Sequence, residues 1–173
     1  LGEGLARRIN TELTTGDGTG DPNGVVTAST AGLTTASGTA ITSDEIIELM
    51  HYVYHAYRMT PKNEWMFNDS TFEYIRKLKD GQGNYLWQMG DVRADAPGTL
   101  LGKPYYVNQA MANIGLNARS MLFGDFGKYY VRMAGDILLG VIQDKDFWPG
   151  VGVAGYVRID GALPDTAAVK HML

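Results

Sequence analysis

Met121-Leu-Phe-Gly-Asp-Phe-Gly-Lys-Tyr-Tyr-Val-Arg-Met133 is the stretch on which the reading of this chain turns. Gly98-Thr-Leu-Leu-Gly-Lys-Pro-Tyr-Tyr-Val-Asn108 lies before it and Gly135-Asp-Ile-Leu-Leu-Gly-Val-Ile142 after it. Two strand-like runs therefore flank a third that has a glycine break in its middle. Apolar and aromatic runs bounded by Gly and Pro predict sheet. Gly124 and Gly127 are expected to turn the backbone between two strand halves, with Phe123, Phe126, Tyr129 and Val131 supplying the packing.

Helical signals lie upstream. Leu1, Leu5, Ile9 and Leu13 recur every four residues among Glu3, Arg7, Arg8 and Glu12, which predicts an amphipathic helix stopped at Gly16. It opens without a Met, an N-cap or a leader, so an upstream segment is expected. Residues 17–40 are rich in Gly, Thr, Ser and Ala and predict a turn followed by loop or weak edge strand. Thr42 and Glu45 form a capping box ahead of Ile46, Leu49, Met50, Val53 and Tyr57, predicting one helix that ends before Pro61. Glu64-Trp-Met-Phe-Asn68 reads as a short buried strand, and Ser70 with Glu73 as a second capping box. Residues 82–97 have the Gly, Asp and Pro content of an exposed loop. Residues 151–159 alternate as another strand, and residues 166–173 are expected to add an edge strand.

Composition narrows the function classes. A chain of 173 residues can bury about 70% of its unfolded surface, enough for one compact unit or two small intimate ones. The absence of cysteine excludes disulfides, thiolate metal sites and thiol nucleophiles. No apolar run approaches the ~20 residues of a membrane span, which predicts a soluble chain. A net charge of −4 argues against phosphate-driven binding of nucleic acid, whose affinity comes from Lys and Arg displacing counterions.

Motifs with chemical potential are few. Asp17, Thr19, Asp21 and Asn23 alternate like calcium ligands but lack the bidentate Glu, so a structural turn is the expectation. His51 and His55 have the i, i+4 spacing of a zinc-binding face without the Glu of the protease motif. Gly98-Thr-Leu-Leu-Gly-Lys103 is one residue short of a phosphate loop and is followed by Pro104. Ser29, Ser37, Ser43, Ser70 and Ser120 show no nucleophile elbow, and the pairs Asp144/Asp146 and Asp91/Asp95 lie in polar turns. No catalytic residue, cofactor or metal is expected.

Leu101-Gly-Lys-Pro104, Phe123-Gly-Asp-Phe126 and Tyr129-Tyr-Val-Arg132, in that order, resemble the major capsid protein of tailed bacteriophages, with its Hong Kong phage-type fold. The resemblance extends to the glycine-rich turn at residues 13–24, the strand and helix at 65–71, the loop at 78–86 and the last strand and tail at 157–169. It implies an α+β fold, with a central mixed sheet flanked by helices and a peripheral domain of spine helix and long strands. Residues 17–134 with 164–173 would form the axial domain, and 1–16 with 135–163 the peripheral one. The implied partners are copies of the chain, arranged as pentamers and hexamers of an icosahedral shell. That shell would enclose double-stranded DNA without sequence-specific binding, away from any membrane, in a virion assembled in the bacterial host cytoplasm.

Subunit contacts are expected at Arg7 and Arg8 on the spine helix and at Asp144, Lys145 and Asp146. They are also expected at Gln88, Asp91, Arg93 and Asp95, on a loop that the resemblance points at the symmetry axis. Covalent cross-linking of the kind some phage capsids use is not expected, because residues 148–158 contain neither Asn nor Glu. The alternatives are an encapsulin-like nanocompartment shell enclosing an enzyme, and a small metal-binding module built on His51 and His55.

Overall fold

Strand residues Met121–Asp125 are all buried, and they form the centre of a six-stranded sheet in the computed structural model. The structure describes residues 2–86, 99–143, 145–147 and 149–173. In chain order the elements are α1 (Gly2–Thr15), α2 (Val25–Ala28), β1 (Thr30–Leu33), α3 (Ser43–Tyr52), α4 (His55–Arg58), β2 (Asn63–Phe67), α5 (Asp69–Arg76), β3 (Thr99–Leu100) and β4 (Lys103–Val107). They continue with β5 (Met121–Asp125), β6 (Tyr130–Met133), β7 (Leu138–Ile142), β8 (Gly152–Tyr156), β9 (Ile159–Ala162) and β10 (Val169–Met172). The central sheet runs β1-β10-β5-β2-β4-β3, while β6 pairs with β9 and β7 with β8 in two separate ribbons. The fold is α+β with a mixed sheet, as expected.

Both faces of β5 are covered, and so it reads as a continuous apolar run instead of an alternating one. On one face Phe123 and Met121 stand opposite Trp65 and Phe67 of antiparallel β2, and all four are fully buried. The Trp65 and Phe123 rings lie 4.1 Å apart, tilted by 35°. Ile46, Leu49, Val53 and Ile75 from the helical segments close over them. On the other face Leu122 and Val169 pack with Val25, Val26, Met111 and Leu163. Each fully buried side chain of this size contributes about 2–3 kcal/mol of transfer free energy.

Residues 169–172 form an interior strand between β1 and β5, not the expected edge strand. An apolar tail that opens with Val169 can pair on both sides because its one buried polar side chain, His171, finds Ser29. Gly124 permits the close approach. Its φ is 154°, and a Cβ there would sit 2.2 Å from the Ala168 carbonyl oxygen and 2.6 Å from Val169 Cα.

The break after β5 is a 3-10 turn at residues 126–128, begun by Asp125 Oδ1, which accepts the Gly127 N–H at 2.9 Å. Val131, expected to pack, is half exposed on β6. The Thr42/Glu45 capping box is present, and Glu45 also accepts the Ala36 N–H at 2.8 Å. Burial pushes the Glu45 carboxyl up, but hydrogen bonds from Ala36 and Thr42 outweigh it and hold the carboxyl below its ordinary value. The helix stops at Tyr52, where Val53 turns extended and enters the core, so His51 and His55 lie on different helices. The second capping box does not form. Asn68 is the N-cap, accepting from Ser70 N at 3.1 Å while its amide donates to the Met111 carbonyl. Residues 17–40 contain the expected edge strand, β1, and also α2, which the low density of large apolar residues did not announce.

Candidate assembly surfaces

Arg7 and Arg8 are exposed on α1, each within 2.5 Å of a carboxylate one turn away, Glu3 and Glu12. The Arg7–Glu3 pair, exposed on both sides, contributes only about 0.3–0.5 kcal/mol, whereas the Glu12 side chain is mostly buried. Arg7 lines a groove of about 760 Å³ with Asn10, Thr11, Tyr106 and Asn108. Lys145 and Asp146 are exposed in a one-turn 3-10 helix. Gln88, Asp91, Arg93, Asp95 and Asp144 lie outside the described residues.

Sequence reading missed the exposed apolar surface of the β7–β8 ribbon. In the β7–β8 ribbon Leu138 stands opposite Tyr156, Val141 opposite Val153 and Ile142 opposite Gly152. Alternation sends Leu138, Ile142 and Tyr156 to one face and Leu139, Val141 and Val153 to the other. All six are exposed, Leu139 and Val141 by 67% and 64%. Neither strand carries a charged residue. An isolated two-stranded ribbon is at best marginally stable in water, so one that is apolar on both faces calls for a cover. The hint was available in the uncharged run Leu138-Leu-Gly-Val-Ile142, but an apolar run predicts burial, not burial by whom. At its base a groove of about 440 Å³ separates β7 from the first turns of α1, lined by Leu5, Ile9, Ile137 and Leu139.

Tyr129 packs against the Leu122 and Val169 side of the central sheet and reaches α1 and β9. Its single hydroxyl proton is shared between the carbonyls of Leu13 and Asn23, at 3.1 and 2.9 Å, tying the end of α1 to the glycine turn. Burial, and after it the charge of Asp160, push its pKa up to about 12. The phenol passes so close to β9 that a Cβ at Gly161 would lie 2.0 Å from its oxygen.

Two buried groups have an arrangement that superficially suggests chemistry. Ser29 Oγ lies 2.8 Å from His171 Nδ1, a pair that sequence reading did not nominate. The serine proton, however, is donated to the Val26 carbonyl at 2.7 Å, so His171 Nδ1–H must donate to the serine oxygen. That polarity is the reverse of an activated nucleophile. Among the described residues no three His, Cys, Asp or Glu side chains gather as metal ligands, and Asp17 Oδ1 accepts the Thr19 N–H as in a structural turn. Leu101 and Gly102, both at positive φ, form the tight turn between β3 and β4, in the segment that is one residue short of a phosphate loop.

The phage capsid family matches residues 1–173. The chain belongs to that family. Its fold agrees with the capsid of an empty GTA particle computed with C5 symmetry, at a TM-score of 0.80 and 26% identity, covering 99% of this chain and 62% of that one. The capsid of the native GTA particle gives 0.83 at the same identity and coverage. Gordonia phage Cozz gives 0.63 at 14% identity, covering 97% of this chain and 59% of that chain, and supports the fold alone. This capsid-family chain thus spans 62% of the length of the GTA capsid chains it matches. No curated protein sequence matches it. The family and its fold are structural, and among the described residues no helix is long and apolar enough to cross a membrane.

Proposed function

We propose that this chain is the shell-forming part of a major capsid subunit, self-assembling into pentamers and hexamers that enclose double-stranded DNA in a virion built in the bacterial cytoplasm. The observation that carries the reading is the β7–β8 ribbon, apolar on both faces and exposed in the single chain. Its mechanism is association alone, with no catalytic step: many modest contacts are multiplied by closure of the shell. The similarity to a GTA capsid computed with C5 symmetry supports a ring arrangement. The separate β7–β8 ribbon supports a division into an axial unit, residues 17–134 with 164–173, and a peripheral unit, residues 1–16 with 135–163, with the β6–β9 pairing joining the two. Arg7, Arg8, Lys145 and Asp146 remain proposed contacts by their exposure, and Gln88, Asp91, Arg93, Asp95 and Asp144 by family geometry.

The test is expression of the full-length chain, followed by electron microscopy and nuclease protection. Closed shells holding nuclease-resistant DNA are expected when the packaging machinery is present. Shells that hold a protein cargo instead would favour the nanocompartment reading, and a chain that stays monomeric at every concentration would overturn both.

A further inference from the structure

Three basic side chains from separate parts of the chain meet where α3 ends and β4 begins. Arg58 Nη1 lies 3.1 Å from His51 Nδ1, and Lys103 Nζ donates to the Arg58 carbonyl at 2.6 Å. A guanidinium can only donate, so the imidazole nitrogen is the acceptor. Arg58 Nε is buried without a hydrogen-bond partner, and among the described residues neither Arg58 nor Lys103 is in an ion pair. Beside them Tyr52, Tyr54 and Met59 are exposed. Leaving a buried N–H unpaired costs about 1–3 kcal/mol, more for a charged group. Arg58 is thus held by one side-chain hydrogen bond in a position that wastes its fork of donors, and an outward swing to a carboxylate would satisfy them.

We propose that Arg58 and Lys103 receive a carboxylate, from an Asp or Glu of a second copy of this chain, with Tyr52 and Tyr54 packing around the ion pair. This rests on the shell reading above. Two observations favour a protein carboxylate over a nucleic-acid phosphate. The chain has 19 acidic against 15 basic residues, so every copy offers carboxylates in excess. Tyr, Met and Arg are the residue types enriched in protein interfaces, whereas tracking a phosphate backbone takes a row of several cations.

Shells assembled from a mixture of isotopically light and heavy full-length chains, treated with a water-soluble carbodiimide, test it. Peptide mapping is expected to find Lys103 joined to an Asp or Glu of another copy. Arg58→Gln is expected to raise the chain concentration needed for half-assembly at least about tenfold. The thermal midpoint of the unassembled variant should stay level or rise, because the orphaned N–H is gone. Shells of Arg58→Gln forming at the wild-type concentration would overturn the proposal and leave the shell reading intact, as would a Lys103 without inter-copy links. A loss of assembly that merely follows a lowered thermal midpoint would reduce Arg58 to a structural role. Protection of Arg58 and Lys103 only in DNA-filled shells would assign them to nucleic acid instead.

Discussion

His171 shows how one buried side chain sets a pH limit on the fold. Burial first, and then the neighbouring Arg119 charge, hold its pKa down to about 4, although a hydrogen bond with the Ser29 backbone works the other way. In the unfolded chain the imidazole returns to its ordinary value near 6.5. Between those two values the unfolded state binds more protons, so stability falls as pH drops from about 6.5 towards 4 and is level above that window. The effect between pH 7 and pH 5 is about 2 kcal/mol for this group. Glu64 acts in the opposite sense, since burial raises its carboxyl pKa, so a comparison of variants is needed to isolate the histidine. Urea midpoints of the wild type should fall between pH 7 and pH 5 by clearly more than those of His171→Gln. Equal slopes would refute the assignment.

Strands β5 and β10 meet through a glycine. The register pairs Gly124 with Val169, and the Ala168 carbonyl accepts the Asp125 N–H at 2.9 Å, so the two backbones occupy the space that a side chain at position 124 would need. Both obstructing atoms belong to backbone, and no rotamer change relieves the clash. Gly124→Ala is therefore expected to cost more than about 3 kcal/mol, or to leave the chain insoluble. Calorimetry or circular dichroism melting would check it, and a midpoint within a few degrees of the wild type would show that β10 can shift aside. The same substitution at Gly140, where a Cβ would meet nothing within 4 Å, is the matched control on an exposed strand.

Across the molecule the apolar surface is distributed unevenly. Leu138, Leu139, Val141, Val153 and Tyr156 stand in water, while β5 and β2 hold the core. A protein that served as a monomer would gain from polar residues on that ribbon. Leu139→Lys with Val141→Asp is expected to leave the thermal midpoint of the single chain almost unchanged, because those side chains are mostly exposed, yet to abolish shells in sedimentation and microscopy. Sulfate should promote wild-type assembly through this ribbon, whereas any contribution from Arg58 and Lys103 should weaken as ionic strength rises. Double-variant shells that form normally would remove the ribbon from the assembly mechanism.

The order and type of the main elements were legible in the residues. Apolar runs at Trp65–Phe67 and Met121–Phe123, the capping box at Thr42 and the four-residue spacing of α1 are local signals, decided by side chains that act on their own backbone or within one turn. The resemblance carried by Phe123-Gly-Asp-Phe126 and its companions led to the family. What the chain alone could not announce depends on partners distant in sequence. An apolar tail becomes an interior strand only because β1 and β5 leave a gap that Gly124 lets it fill. Asn68 displaces Ser70 as a cap because the Met111 carbonyl is there to hold it. Leu138-Leu-Gly-Val-Ile142 reads like any core strand, since hydrophobicity predicts that a surface will be covered and is silent on whether the cover belongs to the same molecule. That choice is made by the path of the chain, which among the described elements brings only the first turns of α1 beside this ribbon and leaves its strands exposed.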